Sequence, residues 1–281
     1  MSGHGVKEFL HRTGRVGRKL VGERTYDRLF HLPAAQWALR RAGFFNLPTL
    51  PTWLSQSEIA QLHGREVQVA LSLGVIWVYN SFIEGDIVEF GTATGVTAKA
   101  IANAMAAAEA SRPPKKLHLF DSFAGLPAAT SAIDRDSHEF RSGIWYPGLM
   151  KEMNADELLK SCAAVLGAGR VVIHPGWFAD TVSRLSPEQK FAFIHFDGDM
   201  YQSTIDAIGG LLSRGAISKG AVICFDDWNC GRADPDFGER RAWSELTERY
   251  AVRCSDWRSY STMGQSFFIH DYRSDLPAGR S

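Results

Sequence analysis

The sequence predicts an α/β domain: a mostly parallel, doubly wound, seven-stranded sheet preceded by a helical extension. Three observations carry this. From Asp86 onward, short β-rich runs alternate with helical segments, the rhythm of a sheet with helices on both faces. The runs are almost continuously apolar, as strands buried on two sides require. Several end in acidic residues, which a parallel sheet would collect at one edge. The 281 residues are 45% hydrophobic and 22% charged, enough for a sizeable core and unlike disordered or collagen-like chains.

Residues 5–30 read as one or two basic amphipathic helices, with Phe9, Leu10, Val16, Leu20, Tyr26, Leu29 and Phe30 at helical spacings. Pro48 and Pro51 break that pattern and mark a linker. A further helix starts near Ser57 and runs through Val67 to Phe82. The predicted strands follow: Ile87–Phe90, Leu117–Asp121, Val171–His174, Phe191–Asp197 and Ala221–Asp227, then two later runs near Val252–Trp257 and Ser266–His270. Helices are expected at about 97–110, 154–166, 178–184, 202–213 and 238–250. The expected division is a basic extension and linker over 1–55 and a main domain over 56–281, with its motifs in 84–230.

Thirty-one basic and 31 acidic side chains give zero formal charge, with no global nucleic-acid signature. Residues 1–50 nevertheless hold nine basic and three acidic side chains, leaving 22 and 28 for the rest. The basic segment is expected to be a solvated helix face, with docking on the acidic body, peripheral contact with an anionic membrane, or a homodimer contact as the alternatives. Cys162, Cys224, Cys230 and Cys254 form no CxxC pair, and neither a leader's apolar core nor a spanning run is evident. A cytoplasmic protein is the expectation.

Between the first strand and its helix lies Val88-Glu89-Phe90-Gly91-Thr92-Ala93-Thr94-Gly95. Gly91 and Gly95 permit a tight turn and close approach of a ligand to the backbone. Glu89 suits a ligand carrying amine or hydroxyl donors better than a pyrophosphate. Asp121 ends the second strand, where a carboxylate can accept both hydroxyls of a ribose, with Phe123 beside a base; its alternative role is to cap a local turn. Asp197 and Asp199 close one strand and Asp226 and Asp227 the next. Neighbouring strands about 5 Å apart bring these acids within reach of one hard cation, Mg²⁺ or Mn²⁺. His174 and His195 lie inside strand-like runs and read as core or strand-end residues. His138, in the polar segment 122–150 that reads as a lid, and Tyr201 are candidate substrate contacts.

Together these strings resemble the class I S-adenosylmethionine (SAM) dependent methyltransferases, which have a Rossmann-like fold, and more narrowly the macrocin O-methyltransferase (TylF/MycF/NovP-type) family. The resemblance rests on Val88-Glu89-Phe90-Gly91, Asp121-Ser122-Phe123-Ala124-Gly125-Leu126-Pro127, Pro175-Gly176-Trp177-Phe178-Ala179-Asp180-Thr181, Asp197-Gly198-Asp199-Met200-Tyr201-Gln202-Ser203-Thr204 and Asp226-Asp227-Trp228. It implies Mg²⁺-dependent methylation of a hydroxyl, typically on a natural-product sugar or a glycan. Carried over, Glu89, Gly91, Thr92 and Gly95 would surround the methionine and ribose end of SAM, Asp121 would hold the ribose and Ser122 would lie near the adenine. Asp197, Asp226 and Asp227 would ligate the metal, and Asp199 would be the general base. Two departures stand out: the loop Gly91–Gly95 lacks the tryptophan and arginine common in that family, and Trp228 replaces a usual tyrosine.

The chemistry suits the residues. An alcohol is too weak an acid to attack a sulfonium at neutral pH unless a cation and a carboxylate help remove its proton. A catechol is the alternative acceptor. A dinucleotide oxidoreductase leaves the strand-end acids without a role, and a glycosyltransferase using Asp197-Gly198-Asp199 as a DxD motif leaves the glycine loop and Asp121 without one.

Overall fold

The computed structural model describes residues 56–109 and 112–274; the basic extension expected over 1–55 lies outside them. The chain divides into a unit of residues 1–61 and one of 62–281, and the second carries the sheet. Its strands are β1 (Asp86–Phe90), β2 (Leu117–Asp121), β3 (Val171–Pro175), β4 (Phe191–Phe196), β5 (Ile217–Phe225), β6 (Arg253–Tyr260) and β7 (Gly264–Asp271). They are ordered β3-β2-β1-β4-β5-β7-β6. The first five are parallel, and β7 runs antiparallel to both β5 and β6. The tight turn Ser261–Met263 between β6 and β7 forces an antiparallel pair, whereas parallel neighbours need long crossovers.

Helix α1 (Gln56–Asn80) buries Val67, Ala70, Leu71, Val75, Val78 and Tyr79, a stripe at three- and four-residue steps. With α2 (Val96–Ala108) and α5 (Ala155–Leu166) it covers one face of the sheet, where Ile101, Met105, Leu158 and Cys162 meet Ile87, Leu119 and Phe193. On the other face α6 (Phe178–Val182), α8 (Gly210–Ser213) and α9 (Gly238–Arg249) pack Val182, Leu211, Leu212, Trp243 and Leu246 onto Phe90, Phe120, Phe196 and Phe225. Each fully buried phenylalanine contributes about 2–3 kcal/mol of transfer free energy. Helix α8 continues α7 (Tyr201–Thr204) through a π-helical turn, Ile205–Gly209.

Segment 122–150, which reads as a lid in the sequence, contains two short helices, α3 (Ala132–Asp136) and α4 (His138–Ser142). Ser131 and Ser137 cap them by accepting from the N–H groups of Asp134 and Phe140. Leu126 and Trp145 from this segment pack on Met200.

At the carboxyl edge the ladder continues beyond the strands. Gly91 N–H donates to the Phe120 carbonyl (2.8 Å), Asp197 N–H to Phe90 (2.9 Å) and Asp226 N–H to Phe196 (3.0 Å). The first residues of three loops are thereby held as part of the sheet.

Candidate active site

A cavity of about 430 Å³ opens at this edge, within the size range of small-molecule sites. Gly91, Asp121 and Ser122 line one end, Asp197 and Asp199 line another part, and Trp177 and Gln202 also contribute to its wall.

The glycines here are dictated by space. Gly91 has φ +80°, and a Cβ would lie 1.8 Å from the Asp197 carbonyl oxygen; a Cβ on Gly198 would lie 2.4 Å from the Phe196 ring. At Gly91 only a residue without a side chain lets the β1 and β4 loops approach so closely, and at Gly198 only such a residue lets the chain turn back over the Phe196 ring. Asp199 then takes a left-handed conformation, φ 61°, which aspartate tolerates better than most residues.

Asp121 holds the glycine loop. One carboxylate oxygen accepts from Thr92 N–H (2.7 Å), Thr92 Oγ1 (2.9 Å) and Ala93 N–H (3.3 Å), the other from Phe123 N–H (2.7 Å). The capping role is therefore present, and the second oxygen has spare accepting capacity. Thr92 is buried beneath this network. Ser122 Oγ donates to the Gly125 carbonyl (3.0 Å). Phe123 packs on the core beside α5 and is not part of the cavity wall.

Asp197, Asp199 and Asp227 each place a carboxylate oxygen within 4.8 Å of the others. Burial pushes all three carboxyls above the usual range; Asp227 and then Asp226 add to this at Asp197, Asp227 and then Asp197 at Asp199, and Asp226 at Asp227. Such a set fits a hard divalent cation, which would relieve the repulsion. The group differs from the expected ligand trio of Asp197, Asp226 and Asp227: Asp199 lies within it and Asp226 does not. Adjacent residues of a strand end point to opposite sides, and Asp226 faces His195 Nε2 at 3.7 Å.

His195 is fully buried, and its Nδ1 lies 2.8 Å from Glu89 Oε1. Burial alone would lower the imidazole's pKa, but Asp226 and Glu89 outweigh it and raise it to about 10. Glu89, expected beside a cofactor, is fully buried under the loop, against His195, and does not line the cavity. This triad could have been found from register: Glu89 pairs with His195 and His195 with Cys224, so Asp226, two residues on, shares their face.

The two candidate substrate contacts also lie elsewhere. His138 is exposed, 3.4 Å from Arg232. Tyr201 donates its hydroxyl to Glu245 on α9 (2.6 Å). Neither lines the cavity. In contrast, Trp177 lies in the cavity wall at 43% exposure, and Gln202 and Asp206, one helical turn apart and bonded to each other (2.8 Å), both line it. Asp134 accepts from the N–H groups of Tyr201 (2.8 Å) and Gln202 (3.1 Å), tying α3 to the start of α7; no local pattern marks such a long-range cap.

The sheet order, with one reversed strand beside β5 and ligand-type residues at the carboxyl edge, defines the Rossmann-like fold of class I methyltransferases. Two solved structures share it. The O-methyltransferase NovP matches over 75% of this chain and 88% of its own, with TM-score 0.62 and 21% identity. The calicheamicin methyltransferase CalS11 matches over 84% and 93%, with TM-score 0.56 and 21% identity. The family model for macrocin-O-methyltransferase (TylF) matches residues 61–258, and the chain belongs to that family. A curated relative, the 8-demethyl-8-(2,3-dimethoxy-α-L-rhamnosyl)-tetracenomycin-C 4'-O-methyltransferase of Streptomyces olivaceus, is 32% identical over 119 residues, 41% of this chain and 42% of the relative. The match thus spans less than half of that relative's length. Among the described residues, no helix is long and apolar enough to cross a membrane.

Proposed function

We propose that the protein is an O-methyltransferase that moves the methyl group of SAM to a hydroxyl on a sugar of a natural product, with a divalent cation, Mg²⁺ or Mn²⁺, at the acidic site. Residues 56–281 form the catalytic domain and 1–55 an extension. The observation that carries the reading is a single cavity lined by both Asp121 and the acids Asp197 and Asp199. Family membership and the sugar-methylating relative support the acceptor class.

Asp121 would accept from the cofactor ribose through the oxygen that now holds only Phe123 N–H, and Gly91, whose missing side chain lets the β4 loop close in, lies in the same cavity wall. Asp197 and Asp227 would hold the cation, with Asp226 beside His195 outside that group. When bound, the cation supplies the charge that lowers the acceptor hydroxyl's pKa. Asp199, beside Asp197 and Asp227 in the cavity, takes the hydroxyl proton. The oxygen then forms its bond to the methyl carbon as the carbon–sulfur bond breaks, and alignment of the two supplies much of the acceleration. Trp177 helps exclude water at the cavity wall.

Asp227→Ala and Asp197→Ala are expected to lower kcat by roughly 100-fold or more, while calorimetry shows SAM bound with near wild-type affinity. Full turnover in EDTA would overturn the cation's role.

A further inference from the structure

Glu239 stands in the first turn of α9 and is 1% exposed, yet neither of its carboxylate oxygens has a hydrogen-bond partner among the described residues. An isolated buried carboxylate is costly, and native proteins seldom leave both oxygens of a buried acid unmet. The start of α9 lies against the acidic loop: a Cβ on Gly238 would sit 3.8 Å from the Asp199 carbonyl oxygen. Burial, and then the charges of Asp227, Asp226, Asp197 and Asp199, push the Glu239 carboxyl well above the usual range. Cys230 donates its thiol to Asp227 at 3.2 Å. Among the described residues the cation beside these acids is His195, which is bonded to Glu89 and lies 3.7 Å from Asp226.

We propose that Glu239, which stands outside the group formed by Asp197, Asp199 and Asp227, is a further carboxylate of the divalent-cation site, presented from α9. The inference rests on the cation reading given above. It supplies what that site otherwise lacks. Asp226 lies outside the Asp197, Asp199 and Asp227 group, 3.7 Å from His195 Nε2 and without a hydrogen bond to it; with Asp199 kept for the proton, Asp197 and Asp227 are left to hold the ion, and Glu239 adds a third anionic ligand from a separate element. Its place in the first turn of a twelve-residue helix favours the charged form.

Mn²⁺ titrated into the full-length chain without SAM, with the free ion read by electron paramagnetic resonance, tests this. Wild type is expected to bind, Asp227→Asn to lose most of that affinity, and Glu239→Gln and Glu239→Ala each to weaken it by about 10-fold or more. The near-UV circular dichroism of Glu239→Gln is expected to match wild type, and its metal-free Tm to be equal or higher, since a neutral amide replaces an unpartnered acid. If Asp227→Asn is impaired while a folded Glu239 variant binds within about twofold of wild type, the assignment fails and the cation site stands. If wild type does not bind Mn²⁺, or Asp227→Asn binds as well as wild type, the cation site fails and this assignment with it.

Discussion

At the residue scale, the site depends on two absent side chains as much as on its acids. Gly91 and Gly198 let two loops occupy space that any Cβ would fill. Gly91→Ala combines an overlap with backbone oxygen and a left-handed φ, and it is expected to cost about 3 kcal/mol or more, read as a drop in the urea midpoint at unchanged m-value. The acids of this site were legible in the sequence because strand ends deliver them to one edge. Their partition was not: whether Asp226 or Asp227 joins Asp197 and Asp199 is set by side-chain alternation relative to His195. Glu89 was misplaced for the same reason, since a strand-end carboxylate can serve the cavity or the layer below it. Its neighbours in register, rather than its motif, decide which.

The elements themselves divide by the strength of their local signals. The central strands are near-continuous apolar runs and lie within a few residues of expectation. β5 starts earlier than its apolar run suggests, at Ile217, because Ser218, Lys219 and Gly220 are polar or small yet lie in the ladder's extension. Helices α3 and α4 escaped notice because five-residue helices have no periodicity to read; their serine caps were the available signal. Asp134 makes this segment part of the site's frame by capping α7 from 67 residues away. Asp134→Ala is expected to destabilise the fold by about 1–2 kcal/mol and, in steady-state kinetics, to raise KM for the acceptor with a smaller change in kcat. An unchanged KM would separate the lid segment from acceptor binding.

For the whole molecule, the +6 and −6 halves read from the sequence take on a local meaning: part of the negative half is concentrated in a cluster that favours a divalent cation. A second polar assembly sits away from the acids. His118 Nδ1 lies 3.0 Å from His174 Nε2, and His118 Nε2 lies 3.3 Å from Asp86, which also accepts from Lys116 N–H and Gln189. Burial, then the charge of His118, lowers the His174 imidazole to about 4. An unfolded histidine titrates near 6.5, so between about 6.5 and 4 the unfolded chain takes up a proton that native His174 refuses. Stability from this group therefore falls as pH drops through that window and levels off below it. The slope of Tm against pH over this range is expected to be shallower in His174→Gln than in wild type; equal slopes would count against this role.

The amides of Gly91, Asp197 and Asp226 continue the sheet's own ladder into the loops that carry the chemistry. Loops usually open on their own, long before the core does. Here the outermost site residues cannot release their backbone bonds without parting β1 from β2, β4 from β1, or β5 from β4, so in hydrogen exchange these three amides should report the opening of the central sheet rather than of a loop. The reacting groups would then be anchored to the last part of the molecule to come undone, and the geometry they need would persist until the fold itself fails.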